Sequence, residues 1–168
     1  MAERTVFQSL SQRHVVSLGP QASVWEAACV MTRANCGSVL ILDSAGVLLG
    51  ILTERDLMTR VLAKALNPQT TLTSEVMTPN PHCVEPHTKV SEAVLIMIER
   101  GFRHLPIITP ANKILGVFSV RDALPREREE RHLEHQLDEA PREEGRDEVL
   151  HACRGSGGRR KGRGAGPG

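Results

Sequence analysis

A single register relates two stretches of this chain. GILTERD at 50–56 returns as GVFSVRD at 116–122, 66 residues further on. The same displacement carries VWEAACVM at 24–31 onto VSEAVLIM at 90–97, and SVLILDSAGVLLG at 38–50 onto HLPIITPANKILG at 104–116. Three segments that hold one register without a gap define an internal repeat, so both copies are expected to fold alike.

The physical pattern of each copy is the same. Val24, Ala27, Ala28 and Met31 recur at helical spacing behind Ser23, a residue type that caps helix N-termini. Val90, Ala93, Val94 and Met97 repeat the stripe, with Thr88 or Lys89 in the capping region. Each helix is followed by an apolar run (39–42, 105–108), a polar turn (43–46, 109–113) and a second apolar run (47–52, 114–118), which predicts two adjacent strands. Residues 54–62 have the character of a further helix, whereas the equivalent after Val120 is cut short by Pro125. A short extended segment, 14–18 or 82–85, precedes each unit.

The expected fold class is therefore α/β of the α+β kind, two repeats that are each a small sheet with flanking helices. A sheet of two or three strands covers its apolar face poorly within a unit of about 60 residues. Two copies packed sheet to sheet with pseudo-two-fold symmetry solve this. The repeats are expected at 8–68 and 74–125, with VMTP at 76–79 as the entry into the second. Residues 126–140, rich in Glu and Arg, predict a charged helix, and the Gly- and Arg-rich stretch 141–168 is expected to be disordered.

Composition narrows the function classes. With 168 residues, the chain is too short for a catalytic domain plus a separate sensor. Aromatics make up 2% of it, so the core must be aliphatic and stacking platforms for bases are scarce. The formal charge of +1 excludes bulk attraction of a polyanion. Cys29, Cys36, Cys83 and Cys153 form no CxxC pair, the start lacks a secretory apolar stretch, and no run approaches a membrane span. The expectation is a cytoplasmic protein in a reducing compartment, without a membrane partner.

The paired GxxTxRD and GxxSxRD signatures carry the chemistry. In each, an apolar strand ends at a hydroxyl, Thr53 or Ser119, and a carboxylate follows three residues later, Asp56 or Asp122. At the mouth of a strand-to-helix turn, such an Asp can accept two hydrogen bonds from a ribose diol while the hydroxyl and nearby N–H groups meet a phosphate. Arg55 and Arg121 add positive charge. The same residues are also good capping chemistry for a first helical turn. Duplication does not decide between the two, because a duplicated fold duplicates its caps.

These segments together resemble a tandem pair of cystathionine-beta-synthase (CBS) domains, the arrangement called a Bateman module. SVLILDSAGVLLGILTERDLMTRV and HLPIITPANKILGVFSVRDAL carry the likeness, joined by SEVMTPNPHCVEPHTKVSEAVLIM, over residues 15–124. The resemblance implies a cleft between the repeats that binds an adenosine compound, AMP, ADP, ATP, NAD or S-adenosylmethionine, with no cofactor required. It also implies a homodimer of such pairs and a regulated partner protein. By position, Thr53, Asp56, Ser119 and Asp122 match ribose- and phosphate-contacting residues of the family, and Ile51 and Val117 fit beside the adenine. Arg103 and His104 match a basic pair that meets phosphate in some members. The first copy has Gly37 and Ser38 there, so the two sites are expected to be unequal. Arg103 can equally be a solvated residue at a strand start, and His104 a packed histidine whose charge changes near neutral pH if it approaches phosphate.

Other constellations are weaker. His82, Cys83 and His87 lie in the linker without a fourth ligand at matching spacing, so no metal is expected. No nucleophile elbow, Walker loop or HExxH is present, and the motif aspartates lack a partner nucleophile or base, so no catalytic residue is assigned and the chain is read as a non-enzyme. The expected function is a regulatory module sensing adenosine-containing nucleotides between its CBS repeats. The alternative is a scaffold or interaction module with empty clefts. Nucleic acid is not expected as a partner, although the basic run at 159–163 leaves weak contact open.

Overall fold

The computed structural model describes residues 3–124, and the readings made for 126–140, 141–168 and the basic run 159–163 lie outside the described residues. The chain runs α1 (Val6–Ser9), β1 (Ser17–Leu18), α2 (Val24–Ala34), β2 (Ser38–Leu42), β3 (Leu48–Thr53), α3 (Glu54–Asp56), α4 (Thr73–Val76), β4 (Thr78–Pro79), α5 (Val90–Arg100), β5 (His104–Ile108) and β6 (Ile114–Ser119). The helical stretch opened by α3 continues as a π turn over Leu57–Val61 and a 3-10 turn over Leu62–Lys64. Its counterpart is a single 3-10 turn, Val120–Ala123, after which Leu124 is extended, the conformation favoured ahead of a proline.

Both repeats keep the expected order. Ser23 caps α2 by accepting a hydrogen bond from the Glu26 amide, and Asn35 ends that helix in the left-handed conformation. In the second copy Lys89 occupies the N-cap position and Gly101 takes the left-handed C-cap, where glycine carries no Cβ penalty. β2 and β3 pair antiparallel, with Ser38 opposite Thr53 and Leu40 opposite Ile51. β5 and β6 repeat the ladder, with His104 opposite Ser119 and Pro106 opposite Val117. In the first sheet β1 adds in parallel beside β2 and β4 antiparallel beside β3, giving four strands, and the second sheet has two. Leu18 pairs with Ile41, and its counterpart Val84 forms a single parallel bridge to Ile107.

The period-two pattern of the strands sorts side chains to two faces. Val39, Ile41 and Leu52 pack against Val24, Ala27 and Met31 of α2 in one core, while Leu105, Ile107 and Phe118 pack against Ala93 and Met97 of α5 in the other. Leu40 and Pro106 point to the opposite faces, are fully buried, and belong to neither cluster. Ser38 and His104, which share those faces, line a cleft bounded by both repeats. Each sheet thus turns one face to its own helix and the other toward its sister repeat.

Core membership does not follow chain order. Val6 and Leu10, at the start of the chain, are buried in the core of the second repeat. Val76, ahead of the second copy, is buried in the core of the first. The Val90 amide at the start of α5 donates to the Arg4 carbonyl at 3.1 Å, and the Val24 amide at the start of α2 donates to the Thr71 carbonyl at 3.0 Å. Each repeat therefore lends a short helical turn to the other. The stretch 76–79, read as an entry into the second copy, holds strand β4 on the first sheet, because Thr78 and Pro79 find the open edge of β3 there.

Truncating Leu10 tests this exchange. Leu10→Ala is expected to lower stability by about 2–5 kcal/mol in urea unfolding, the range for deleting a buried leucine side chain. An exposed N-terminal appendage would instead leave the midpoint unchanged.

Candidate functional site

The two strand-end motifs fold into the same knot of hydrogen bonds. Thr53 closes β3, and Asp56 Oδ2 accepts from both its amide, at 2.9 Å, and its hydroxyl, at 2.8 Å. The Asp56 amide in turn donates to Thr53 Oγ1 at 3.3 Å. In the second repeat Asp122 Oδ2 accepts from the Ser119 amide at 2.7 Å and its hydroxyl at 2.8 Å. Both carboxylates are buried, 8% and 5% exposed. Capping is thus realised in both copies, and the hydroxyls expected to meet phosphate are engaged with their own aspartates.

Capping does not turn these residues away from the space between the repeats. Asp56, Thr53, Ile51 and Arg55 of the first copy line one cleft, closed from the other side by residues 78–82 and 100–104. Asp122, Ser119, Val117 and Arg121 of the second line another, closed by residues 35–38 and the N-terminal Ser11, Gln12 and His14. Their volumes are about 430 and 340 Å³, within the range that holds small organic ligands. Every sequence-predicted site residue lies on one of the clefts, and Arg103 and His104 border both.

The clefts differ in what surrounds the shared motif. The Asp56 cleft carries four arginines, Arg55, Arg60, Arg100 and Arg103, and its wall includes His82 and Phe102 with ring centroids 6.3 Å apart. Arg55 donates to the Gly101 carbonyl at 3.0 Å, so its charge sits at the C-terminus of α5. Arg60 reaches the Val76 carbonyl at 2.8 Å, Thr78 Oγ1 at 3.0 Å and Asp56 Oδ1 at 3.3 Å. The corresponding wall of the Asp122 cleft is built from Asn35, Cys36, Gly37 and Ser38. Arg60, Arg100, His82 and Phe102 were not singled out as site residues in the sequence. The available signal was positional, since 100–102 immediately precede the Arg103–His104 pair. His82, weighed there as a metal ligand, faces this cleft, and among the described residues no cluster of three or more His, Cys, Asp or Glu is placed to hold a metal ion.

The model of the CBS domain matches residues 7–63 and again 74–127. The chain belongs to the CBS-domain family. An uncharacterized protein of Methanopyrus kandleri is 32% identical over 115 residues, 68% of this chain and 59% of that protein, so the CBS pair spans less than two thirds of this relative. The crystal structure of a CBS-domain protein of Agrobacterium tumefaciens superposes with a TM-score of 0.66 at 31% identity, covering 71% of this chain and 90% of that one. A CBS domain protein of Pyrobaculum aerophilum, solved in complex with AMP, shares the fold at a TM-score of 0.65 and 21% identity, covering 71% of this chain and 89% of that one.

In this CBS pair Gly37, Glu54, Arg103 and His104 form a wall common to both clefts. A Cβ at position 37 would stand 3.1 Å from Glu54 Oε2 and 3.2 Å from His104 Nε2, so the missing side chain is what admits both groups. Burial pushes the His104 pKa below the usual histidine value and the Arg103 guanidinium pushes it the same way, against the opposing pull of Glu54. The charge change expected near neutral pH therefore moves to lower pH, because the imidazole is largely out of water.

A histidine held neutral by the fold destabilises the protein in acid. The unfolded chain takes up the proton first, so the contribution of His104 is complete above the unfolded value near 6.5 and is lost as pH falls through the lower folded value. Urea stability is expected to fall between pH 7.5 and 5.5 less steeply in His104→Gln than in the parent. Equal slopes would show that His104 titrates alike in both states.

Proposed function

We propose that this CBS pair is a regulatory module that binds an adenosine-containing nucleotide (AMP, ADP, ATP, NAD or S-adenosylmethionine) between its repeats. The observation that carries the reading is the pairing of clefts, each placing the strand-end hydroxyl and carboxylate of one repeat against the sister repeat. Carboxylate oxygen is the acceptor a ribose diol needs, Ile51 and Val117 offer an apolar edge to a base, and Arg103 supplies charge for phosphate with the His104 ring beside it. The AMP found in the Pyrobaculum protein supports the same ligand class. Ligand bridging both repeats favours one arrangement of them over another, and the coupling is limited to its differential affinity for the two.

The reading is of a non-enzyme. It includes a homodimer of CBS pairs in the cytoplasm and a partner protein that receives the signal. No described helix is long and apolar enough to cross a membrane. A scaffold with empty clefts is the second reading, favoured by the complete internal satisfaction of Asp122, whose Oδ1 also accepts from the Ser11 amide and hydroxyl.

Calorimetric titration of nucleotide-free protein with each of the five compounds tests the first reading, and no binding at millimolar or tighter affinity to any of them overturns it. At a hundredfold excess over Kd, ligand is expected to stabilise the fold by about 2.7 kcal/mol. Replacing Asp56 and Asp122 together by Ala is expected to abolish that ligand-dependent increment. The ligand-free stability of the variant also falls, because two helical caps are lost, so the increment is the quantity to compare.

A further inference from the structure

The two carboxylates are not equivalent acceptors. Asp122 Oδ1 accepts the Ser11 hydroxyl at 2.6 Å and the Ser11 amide at 2.8 Å, while Oδ2 accepts the two bonds from Ser119. A carboxylate offers about four lone-pair sites, so the acceptor capacity of Asp122 is filled. On Asp56, Oδ2 is filled in the same way by Thr53, but among the described residues Oδ1 meets Arg60 Nε at 3.3 Å alone. Arg60 is anchored independently on Val76 and Thr78 and does not depend on that contact.

The repeat register explains the difference. Position 77 of the second copy corresponds to position 11 of the first, and it holds Met77, which has no hydroxyl. The Met77 amide is already used, donating to the Thr73 carbonyl at 2.9 Å within the turn of α4. Ser11 follows Leu10, which is 3% exposed in the core of the second repeat, so the backbone that carries the donor pair is anchored beside Asp122.

We infer that Ser11 occupies the diol-accepting side of Asp122 as an internal substitute for ribose, so that this chain takes one nucleoside ligand, in the Asp56 cleft, and residue 11 sets that stoichiometry. The inference rests on the proposed nucleotide binding. In the Asp122 cleft a diol must first break two charge-assisted hydrogen bonds and gains back only two of the same kind. In the Asp56 cleft it displaces one long contact and adds its bonds to an oxygen with capacity to spare. Four arginines line that cleft against two, Arg103 and Arg121, in the Asp122 cleft, which favours the phosphate of the same ligand there.

Titration of the full chain with AMP decides this. The parent is expected to bind one AMP per chain, Asp56→Asn to bind at least about tenfold more weakly, and Ser11→Ala, which removes the hydroxyl donor and keeps the amide, to gain a second site weaker than the first. Backbone amide NMR of the parent, which needs no variant to fold, is expected to show AMP moving Ile51 and Thr53 while Ser11 and Ser119 stay in place. Two AMP per parent chain, AMP-dependent shifts at Ser11, or a single unchanged site in folded Ser11→Ala each overturn the inference and leave nucleotide binding standing. Absence of AMP binding by both the parent and Ser11→Ala, together with no binding of the other four compounds, overturns the functional reading itself and the inference with it.

Discussion

Each sheet of this CBS pair has two faces to bury and one long helix to do it with. α2 covers Val39, Ile41 and Leu52, and α5 covers Leu105, Ile107 and Phe118, but neither reaches Leu40 or Pro106 on the reverse side. That reverse side is where Ser38 and His104 line a cleft bounded by both repeats, so burying its apolar surface draws the repeats together. The ends of the strands β3 and β6, with their hydroxyls and carboxylates, are thereby carried to the margins of the contact between repeats, where flat packing gives way to clefts. The candidate binding geometry is in this sense a by-product of how the reverse faces are covered.

Much of this was legible in the sequence because it depends on local pattern. Ser23 before an apolar stripe, the polar turns between short apolar runs, and the 66-residue register are readable one residue at a time. The GxxTxRD and GxxSxRD strings located both cleft-lining carboxylates and also raised the capping geometry that both adopt. What was not legible comes from contacts between distant segments. Ser11 meets Asp122 across 111 positions, and no periodicity marks an isolated serine as the partner of an aspartate that far away. Arg60 reads as one more helix-surface arginine until β4 brings Thr78 alongside it.

Divergence between the copies is as informative as their likeness. Where the halves agree, as at Thr53 and Ser119 or Asp56 and Asp122, they build the same turn twice. They part at Ser11 against Met77, Phe102 against Cys36 and Arg103 against Gly37, and Ser11, Cys36, Gly37, Phe102 and Arg103 all line a cleft. The pseudo-symmetry of the backbone is thus overlaid by an asymmetry of side chains. Arg55, Arg60 and Arg100 stand on the Asp56 side and Asn35, Cys36 and Ser38 on the other, while Arg103 borders both and Arg121 lines the Asp122 cleft.

The exchange of helical turns also bears on the order in which the molecule can be assembled. The first repeat has all its core residues once the chain has reached Val76. The second has Val6 and Leu10 from the outset, but its core is complete only when Phe118 has been added, more than a hundred positions later. Contacts of such high sequence separation are slow to form, since a long loop must close before they contribute. During synthesis, then, a nearly finished first lobe carries an orphaned apolar turn at its head, and the closing event of folding joins the two ends of the described chain.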